Sequence, residues 1–407
     1  MRIAYLHQYF TTPDEPGGTR SFEFAVRIAR RGHQVDVITT DYRSTGQRGK
    51  GRWSVAEVED VSVHRLKLPY RNEMGYRTRI LVFLAFAVGA TRQLFRLKPD
   101  LIFATSTPLT IAIPALVYRT LHRVPLVFEV RDAWPEIPIA LGVLKGRVAK
   151  TAALLLELLA YVNSYAVVAL SPGMKDSVAR TGYPADRISV IPNACDFSDP
   201  QQSEAAGRRW AAANPWARDR KLVVYLGAFG ITHDAKWIVE LAPHVRAIDP
   251  EVCFAVFGEG AENDAMVERA RELGLLGDTV HILPEIPKSE VPGVLSSASV
   301  GLSTMMPIPE LEANSANKFF DYLAAGRPVA INYGGWQEAL LLEWGAGLRL
   351  SYTDLDAAAA DLVRLVSDPA ALQAASAAAS ELAHARFARD ELAAQLISVL
   401  EQQRPTG

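Results

Sequence analysis

Asn314-Ser-Ala-Asn-Lys-Phe-Phe-Asp-Tyr-Leu-Ala-Ala-Gly326, continued by Arg-Pro-Val-Ala-Ile331, is the stretch whose reading decides the fold. It reads as a short helix closed by Gly326, with Pro328 opening the strand that follows. Phe319, Phe320, Tyr322 and Leu323 give the helix an apolar face, while Lys318 and Asp321, three residues apart, project from a neighbouring face. A cation and a carboxylate therefore face the same space. If that space is a cleft, the pair suits a nucleoside diphosphate: Lys318 neutralises phosphate charge and Asp321 accepts hydrogen bonds from both ribose hydroxyls. If it is open solvent, the same spacing is an ordinary i,i+3 ion pair worth on the order of a few tenths of a kcal/mol.

Outward from this stretch the second half of the chain alternates strand and helix. Leu222–Gly227 is a strand followed by a loop to Gly230 and a helix from Lys236 to Ile248; Val252–Phe257, the Gly258-Glu-Gly260 turn and a helix from Asn263 to Leu273 follow, then strands at Val280–Leu283 and Ser299–Thr304. The first half repeats the pattern. Arg2–His7 is a strand, Phe22–Arg31 an amphipathic helix and Gln34–Thr39 the next strand, with further strands at Ser62–Leu66, Leu101–Ala104, Leu126–Val130 and Tyr165–Ala169. Such alternation predicts two doubly wound α/β units facing one another across a cleft. The boundary falls in the polar, Ala-rich segment after Pro200, giving domains 1–198 and 199–385, with 386–407 as a closing helix. Its stripe of Leu392, Leu396, Val399 and Leu400 must dock on something apolar, and the first domain is the expected place.

In doubly wound sheets ligands bind beyond the carboxyl ends of the strands. Arg131-Asp-Ala-Trp-Pro-Glu136 occupies such a position and concentrates an arginine, two carboxylates and an indole in one loop, which points to a site, a structural Arg–Asp pair being the alternative. Gly17-Gly18 ahead of a helix offers backbone N–H groups to an anion, although such pairs are commonly just turns. The first crossover lacks G-x-G-x-x-G, so a nicotinamide site is disfavoured. Asp354-Leu-Asp356 opens a helix, where carboxylates serve as caps and not as a metal motif.

Composition narrows the partners. Cys195 and Cys253 are too few for a disulfide framework or a metal cluster, and the start of the chain has no signal-peptide pattern, so a cytoplasmic protein without metal or cofactor is expected. Residues 1–200 hold 26 Lys and Arg against 18 Asp and Glu, a balance of +8; the remainder holds 17 against 27, or -10, and the two sum to the -2 of the whole chain. No arginine-rich helix supports nucleic acid. An anionic membrane surface fits the basic half better, because Arg77–Val88 sets an apolar run, too short to span a bilayer, beside Arg92, Arg96 and Lys98. A helix buried on a parallel sheet would read the same way.

Several of these segments together resemble the family 4 glycosyltransferases of GT-B fold: the Gly17-Gly18 loop, Glu129-Val-Arg-Asp-Ala-Trp-Pro-Glu136, Val190-Ile-Pro-Asn193, Phe257-Gly-Glu-Gly-Ala-Glu262, and Asn317-Lys-Phe-Phe-Asp-Tyr-Leu-Ala-Ala-Gly-Arg-Pro-Val329. His7-Gln-Tyr-Phe10 and the Arg-Asp-Ala-Trp-Pro-Glu block resemble the branch of bacterial O-antigen and capsule N-acetylfucosaminyltransferases. The resemblance implies retaining transfer of a sugar, an N-acetylated deoxyhexosamine among the candidates, from a UDP-sugar to a lipid-linked saccharide, at the inner face of the plasma membrane. It places Arg131, Asp132, Glu136 and Lys318 in catalytic roles and Gly17, Gly18, Gly230, Glu310, Asn314, Asn317, Lys318 and Asp321 around the donor. Two departures stand out. Ala313 replaces the first Glu of the E-x7-E motif that ends at Asp321, leaving Glu310, Glu312 or Asn314 to contact the sugar; and Ala228 with Thr232-His-Asp-Ala-Lys236 replaces the usual Arg and Lys on the diphosphate. A nucleotide-sugar 2-epimerase on the same plan, or a non-catalytic hinge-closing binding protein, are the competing classes.

Overall fold

The computed structural model describes residues 1–15, 17–41, 52–68, 74 and 76–402, the side chains of Tyr76 and Arg77 excepted. Eight strands build the first sheet: β1 (Arg2–Leu6), β2 (Gln34–Asp41), β3 (Trp53–Val58), β4 (Val61–Lys67), β5 (Leu101–Thr105), β6 (Leu126–Val130), β7 (Ala166–Ala169) and β8 (Ile188–Val190). Their spatial order is β3-β4-β2-β1-β5-β6-β7-β8, parallel except for the edge strand β3. Six parallel strands build the second: β9 (Lys221–Leu226), β10 (Val252–Phe257), β11 (Val280–Leu283), β12 (Val300–Ser303), β13 (Val329–Ile331) and β14 (Gly347–Arg349), in the order β11-β10-β9-β12-β13-β14. Both are Rossmann-like, and together they have the GT-B plan.

The strands are apolar on both faces because helices cover both faces. Ile3 and Tyr5 of β1 point into one core layer and Ala4 and Leu6 into the other; Val223 and Tyr225 of β9 likewise oppose Leu222, Val224 and Leu226. Each sheet reverses its winding once, between β1 and β5 in the first and between β9 and β12 in the second. The carboxyl ends of these pairs open crevices, and the two crevices face each other.

Two pieces of chain cross between the domains. Asn193–Asp199 leads out, and after the helix Pro369–Phe387 the chain returns as Arg389–Glu401, whose Leu392, Ala393, Leu396 and Leu400 fill a core layer of the first domain beside the helix Arg20–Arg30. The crossings lie side by side: Cys195 N–H donates to Phe387 O at 2.8 Å, and Arg389 pairs with Asp196. The helix Tyr76–Leu97 runs well past the apolar run seen in the sequence, and its stretch Thr78–Leu97 is long and apolar enough to cross a membrane. It is instead the crossover from β4 to β5, with Phe86, Ala90, Leu94 and Leu97 buried on the sheet.

One ionic contact ties the first domain together. Arg20, opening its helix, is 1% exposed, and Glu129 on β6 is fully buried. Arg20 Nε and Nη2 donate to Glu129 Oε1 at 3.1 and 2.8 Å, Nη2 also to Ile191 O at 2.8 Å and Nη1 to Pro192 O, while Thr105 Oγ1 donates to Glu129 Oε2 at 2.6 Å. Breaking such a buried pair from one side leaves an uncompensated charge. Arg20→Ala is expected to cost about 3–5 kcal/mol, and Arg20→Met with Glu129→Leu to restore most of it, read by thermal unfolding of the three proteins. An Arg20→Ala protein as stable as its parent contradicts this.

Candidate active site

The helix Asn317–Ala324 forms where the sequence places it, and its ends explain why. Asn314 Oδ1 accepts from Ala316 N at 3.2 Å ahead of the first turn, and Gly326, at φ +62°, ends the last, with Gly326 N–H bonded to Leu323 O and Arg327 N–H to Tyr322 O, both at 2.9 Å. The apolar face is anchored by Phe319 and Phe320 against Trp336. Tyr322 packs on Gly301, where any Cβ would collide with the ring, and its hydroxyl accepts from Leu226 N–H and donates to Leu302 O, each at 3.0 Å, joining β9 to β12. Lys318 and Asp321 are thereby carried to the second sheet's crevice.

That crevice and its counterpart in the first domain form a cleft of about 700 Å³, lined by Gly17, Gly18, Arg131, Asp132, Glu310, Asn314, Asn317, Lys318 and Asp321. The two domains touch across it. A Cβ on Gly18 would strike the Asn317 amide, Ser171 Oγ donates to Ala313 O at 2.6 Å, and Asn193 N–H donates to Ser315 Oγ at 3.3 Å. Ala313, in the place of the missing Glu, packs closely on the first domain, since a Cβ on Gly173 would stand 2.8 Å from that of Ala313.

Lys318 and Asp321 do not pair with each other. The Lys318 ammonium is 5% exposed, lies 3.8 Å over the centre of the Tyr225 ring, and has no hydrogen-bond partner among the described residues. Burial alone pushes its pKa down to about 7. A Cβ on Gly227, after β9, would come within 2.9 Å of Lys318 Nζ, so the backbone there lies this close to the ammonium only because the residue is glycine. Asp321 pairs with Lys288, which follows β11 and also lines the cleft.

In the first domain His7, directly after β1, lines the cleft and takes a hydrogen bond at Nε2 from Arg131 Nη1 at 3.1 Å. A guanidinium only donates, so the neutral ring carries its proton on Nδ1. Burial first, and Arg131 second, hold His7 well below the usual imidazole range. Asp132 accepts from Thr107 Oγ1 at 2.5 Å. Two expected residues are elsewhere. Glu136 turns away on the short helix Glu136–Ala140, where Oε1 accepts from Ser177 Oγ at 2.6 Å and its charge helps burial raise Glu157 to about 7; Gly230 accepts from the His233 and Asp234 N–H groups and does not line the cleft, its place being taken by Gly227. Glu312 is likewise absent from the lining, which leaves Glu310 and Asn314. The sequence reading missed His7, His233 and Lys288. Each lies just beyond the carboxyl end of a strand or in the loop that follows, the signal that picked out Arg131.

Among the described residues no three His, Cys, Asp or Glu side chains come together as a metal site. Asp354 caps the helix Leu355–Ser367, its carboxylate accepting from Ala357 N–H at 3.0 Å.

A model of the glycosyl transferase 4-like domain matches residues 17–194, and one of the glycosyl transferases group 1 matches residues 220–368. The chain belongs to the two-domain GT-B glycosyltransferases. No curated protein is a significant match to this glycosyltransferase. Solved structures resemble it along its whole length: sucrose-phosphate synthase from Thermosynechococcus elongatus (TM-score 0.77, 17% identity, 98% of each chain), HepE from Anabaena in complex with UDP and glucose (0.71, 16%, 99% of this chain and 100% of that one), and α,α-trehalose 6-phosphate synthase from Burkholderia multivorans (0.73, 13%, 98% of each). At these identities the likeness shows the fold.

A buried lysine with a lowered pKa makes the folded glycosyltransferase hold fewer protons than the unfolded chain between about pH 7 and the ordinary lysine value. Its cost is therefore fully present below about pH 7 and disappears as pH rises through that window. Lys318→Met is expected to raise stability by about 1–3 kcal/mol at acid pH and by much less at alkaline pH, measured by thermal unfolding without added nucleotide. An equal gain at both ends would show that the ammonium is not desolvated.

Proposed function

We propose that this glycosyltransferase moves a sugar, with retention, from a UDP-sugar to a lipid-linked saccharide in the building of a bacterial surface polysaccharide, working in the cytoplasm at the inner face of the plasma membrane. The observation that carries the donor assignment is the Lys318 ammonium, buried in the cleft wall with no counter-ion among the described residues, in a cleft that Gly17-Gly18 of the other domain also lines. A cation kept in that state is costly unless an anion meets it. A departing diphosphate is such an anion, and stabilising it as the sugar carbon becomes cation-like is the main electrostatic task of the reaction. Asp321, held by Lys288, suits the ribose hydroxyls, and Glu310 and Asn314 are the groups available to the sugar. Arg131 and Asp132 line the opposite domain and suit the acceptor. Asp132, held by Thr107, lies on the acceptor side of the cleft, and front-face attack with the donor phosphate taking the acceptor proton is the reading we favour. The uridine base rests on likeness to HepE, whose structures hold UDP and UDP-glucose.

Support for a membrane-bound acceptor comes from the outer surface of the first domain. The helices Tyr76–Leu97, Ala112–His122 and Arg147–Val162 lie side by side on one face of the sheet and expose Leu81 (66%), Leu121 (65%) and Leu155 (53%). Arg92, Arg96, Arg123 and Arg147 are exposed around them, and the single carboxylate on these helices, Glu157, is buried. An apolar surface ringed by cations is the chemistry of an anionic lipid surface.

Incubation with a panel of UDP-sugars and extracted lipid-linked acceptors is expected to release UDP with a glycosylated lipid, and Lys318→Ala to lower turnover by about 10²–10³ with little loss of stability. Near-native turnover in that variant removes the Lys318 assignment, and formation of a 2-epimer, or binding with no reaction, replaces transfer by one of the competing classes. Cosedimentation with vesicles rich in anionic lipid is expected for the wild type, and loss of it for Leu121→Asp with Leu155→Asp; a wild type that stays in solution overturns the membrane reading.

A further inference from the structure

The cleft wall beside Lys318 carries a second base that no role above uses. His233 lies in the loop after β9 and lines the cleft with Lys318 and Gly227. Its backbone is pinned on both sides: His233 N–H donates to Gly230 O at 3.0 Å, Thr304 Oγ1 donates to His233 O at 2.6 Å, and Met306 N–H donates to Thr232 O at 3.0 Å. Its ring is left unused. Nδ1 is buried and has no hydrogen-bond partner among the described residues, while the residue as a whole is half-buried. A side chain so firmly placed and so poorly satisfied is arranged for something not yet bound.

We propose that His233 is the second cation of the diphosphate site, taking up a proton as the donor binds and meeting the phosphates together with Lys318. The inference rests on the nucleotide-sugar reading above and adds a residue and a proton to it. Charge arithmetic requires more than Lys318. The diphosphate of a nucleotide sugar carries about two negative charges and one ammonium cancels one of them, while Lys288 is spent on Asp321. The other base of the His233 loop, Lys236, is turned to Glu262 at 3.4 Å. The charged group that acts on the imidazole is Lys318, from the helix Asn317–Ala324; its chain neighbour Asp234 is engaged by the Tyr352 hydroxyl, which donates to it at 2.7 Å. Burial, and then the Lys318 charge, push His233 down to about 3, so it waits as a neutral ring. A dianion placed between the two bases reverses both influences, and the proton comes from solvent.

The sign follows from linkage. His233 gains its proton on binding at pH values above about 3 and up to its raised value in the complex, whereas Lys318 gains its own only above about 7. Near pH 6 Lys318 is already charged and the terminal phosphate of the probe titrates alike in every protein, so the difference in proton uptake between wild type and a His233 variant reads His233.

The test is calorimetric titration of the full-length wild type and of His233→Gln and His233→Ala with UDP, and with pyrophosphate as a probe without a base, in buffers of different ionisation heat near pH 6 and again near pH 8.5. At the acid pH the variants are expected to take up fewer protons than the wild type and to bind UDP about tenfold more weakly; at the alkaline pH the proteins agree to within about twofold. Matching thermal transitions establish that the variants fold. Equal uptake and equal affinity near pH 6 overturn the role of His233 and leave the donor site standing. A wild type that binds neither probe at either pH overturns the nucleotide-sugar reading itself, and this inference with it.

Discussion

An ammonium removed from water, with no partner to neutralise it among the described residues, is the constraint around which this molecule is arranged. Lys318 could have been a surface residue; the apolar side of its helix prevents that, because burying Phe319, Phe320, Tyr322 and Leu323 fixes the rotation of the helix and drags the lysine inward. The second domain then accommodates the charge with weak means, a Tyr225 ring beneath it and a glycine beside it. The cation–π contact returns on the order of 2 kcal/mol, less than desolvation removes. The deficit is held by the packing of the whole second sheet, whose two central strands are joined by the Tyr322 hydroxyl.

The first domain answers the same problem in the opposite way. Its buried cation, Arg20, is paired with Glu129 and bonded to two carbonyls where the chain leaves β8, so it serves architecture. Arg131, one strand end away, is bonded to a neutral imidazole and keeps its charge for the cleft. Two guanidiniums close in space thus have different fates, decided by whether a carboxylate was placed within reach.

Much of this was legible in the sequence. Apolar runs of strand length separated by helical periodicity announced both sheets, and parallel strands covered on both faces leave little ambiguity of that kind. Trp53–Val58 escaped because an exposed, antiparallel edge strand has no continuous apolar run, and Gly347–Arg349 because three residues carry no period. The Lys-Phe-Phe-Asp turn was legible as a site, but not its pairing: Asp321 meets Lys288 from a loop thirty-three positions away, a contact that only the fold creates. Glu136 misled for a local reason. Within a dense polar loop each side chain looks equally available, and a single turn of helix sends this one toward Ser177 instead of the cleft.

The paired crossings between the domains have a mechanical meaning. Cys195 and Ala388 form a parallel β-bridge, so the outgoing and returning chains make a narrow ribbon rather than two separate tethers. A ribbon flexes readily across its flat face and resists torsion, since twisting shears the bond from Cys195 to Phe387. Any turning of one domain against the other must therefore act on both crossings at once, at the one place where Cys195 meets Phe387 and Arg389 meets Asp196.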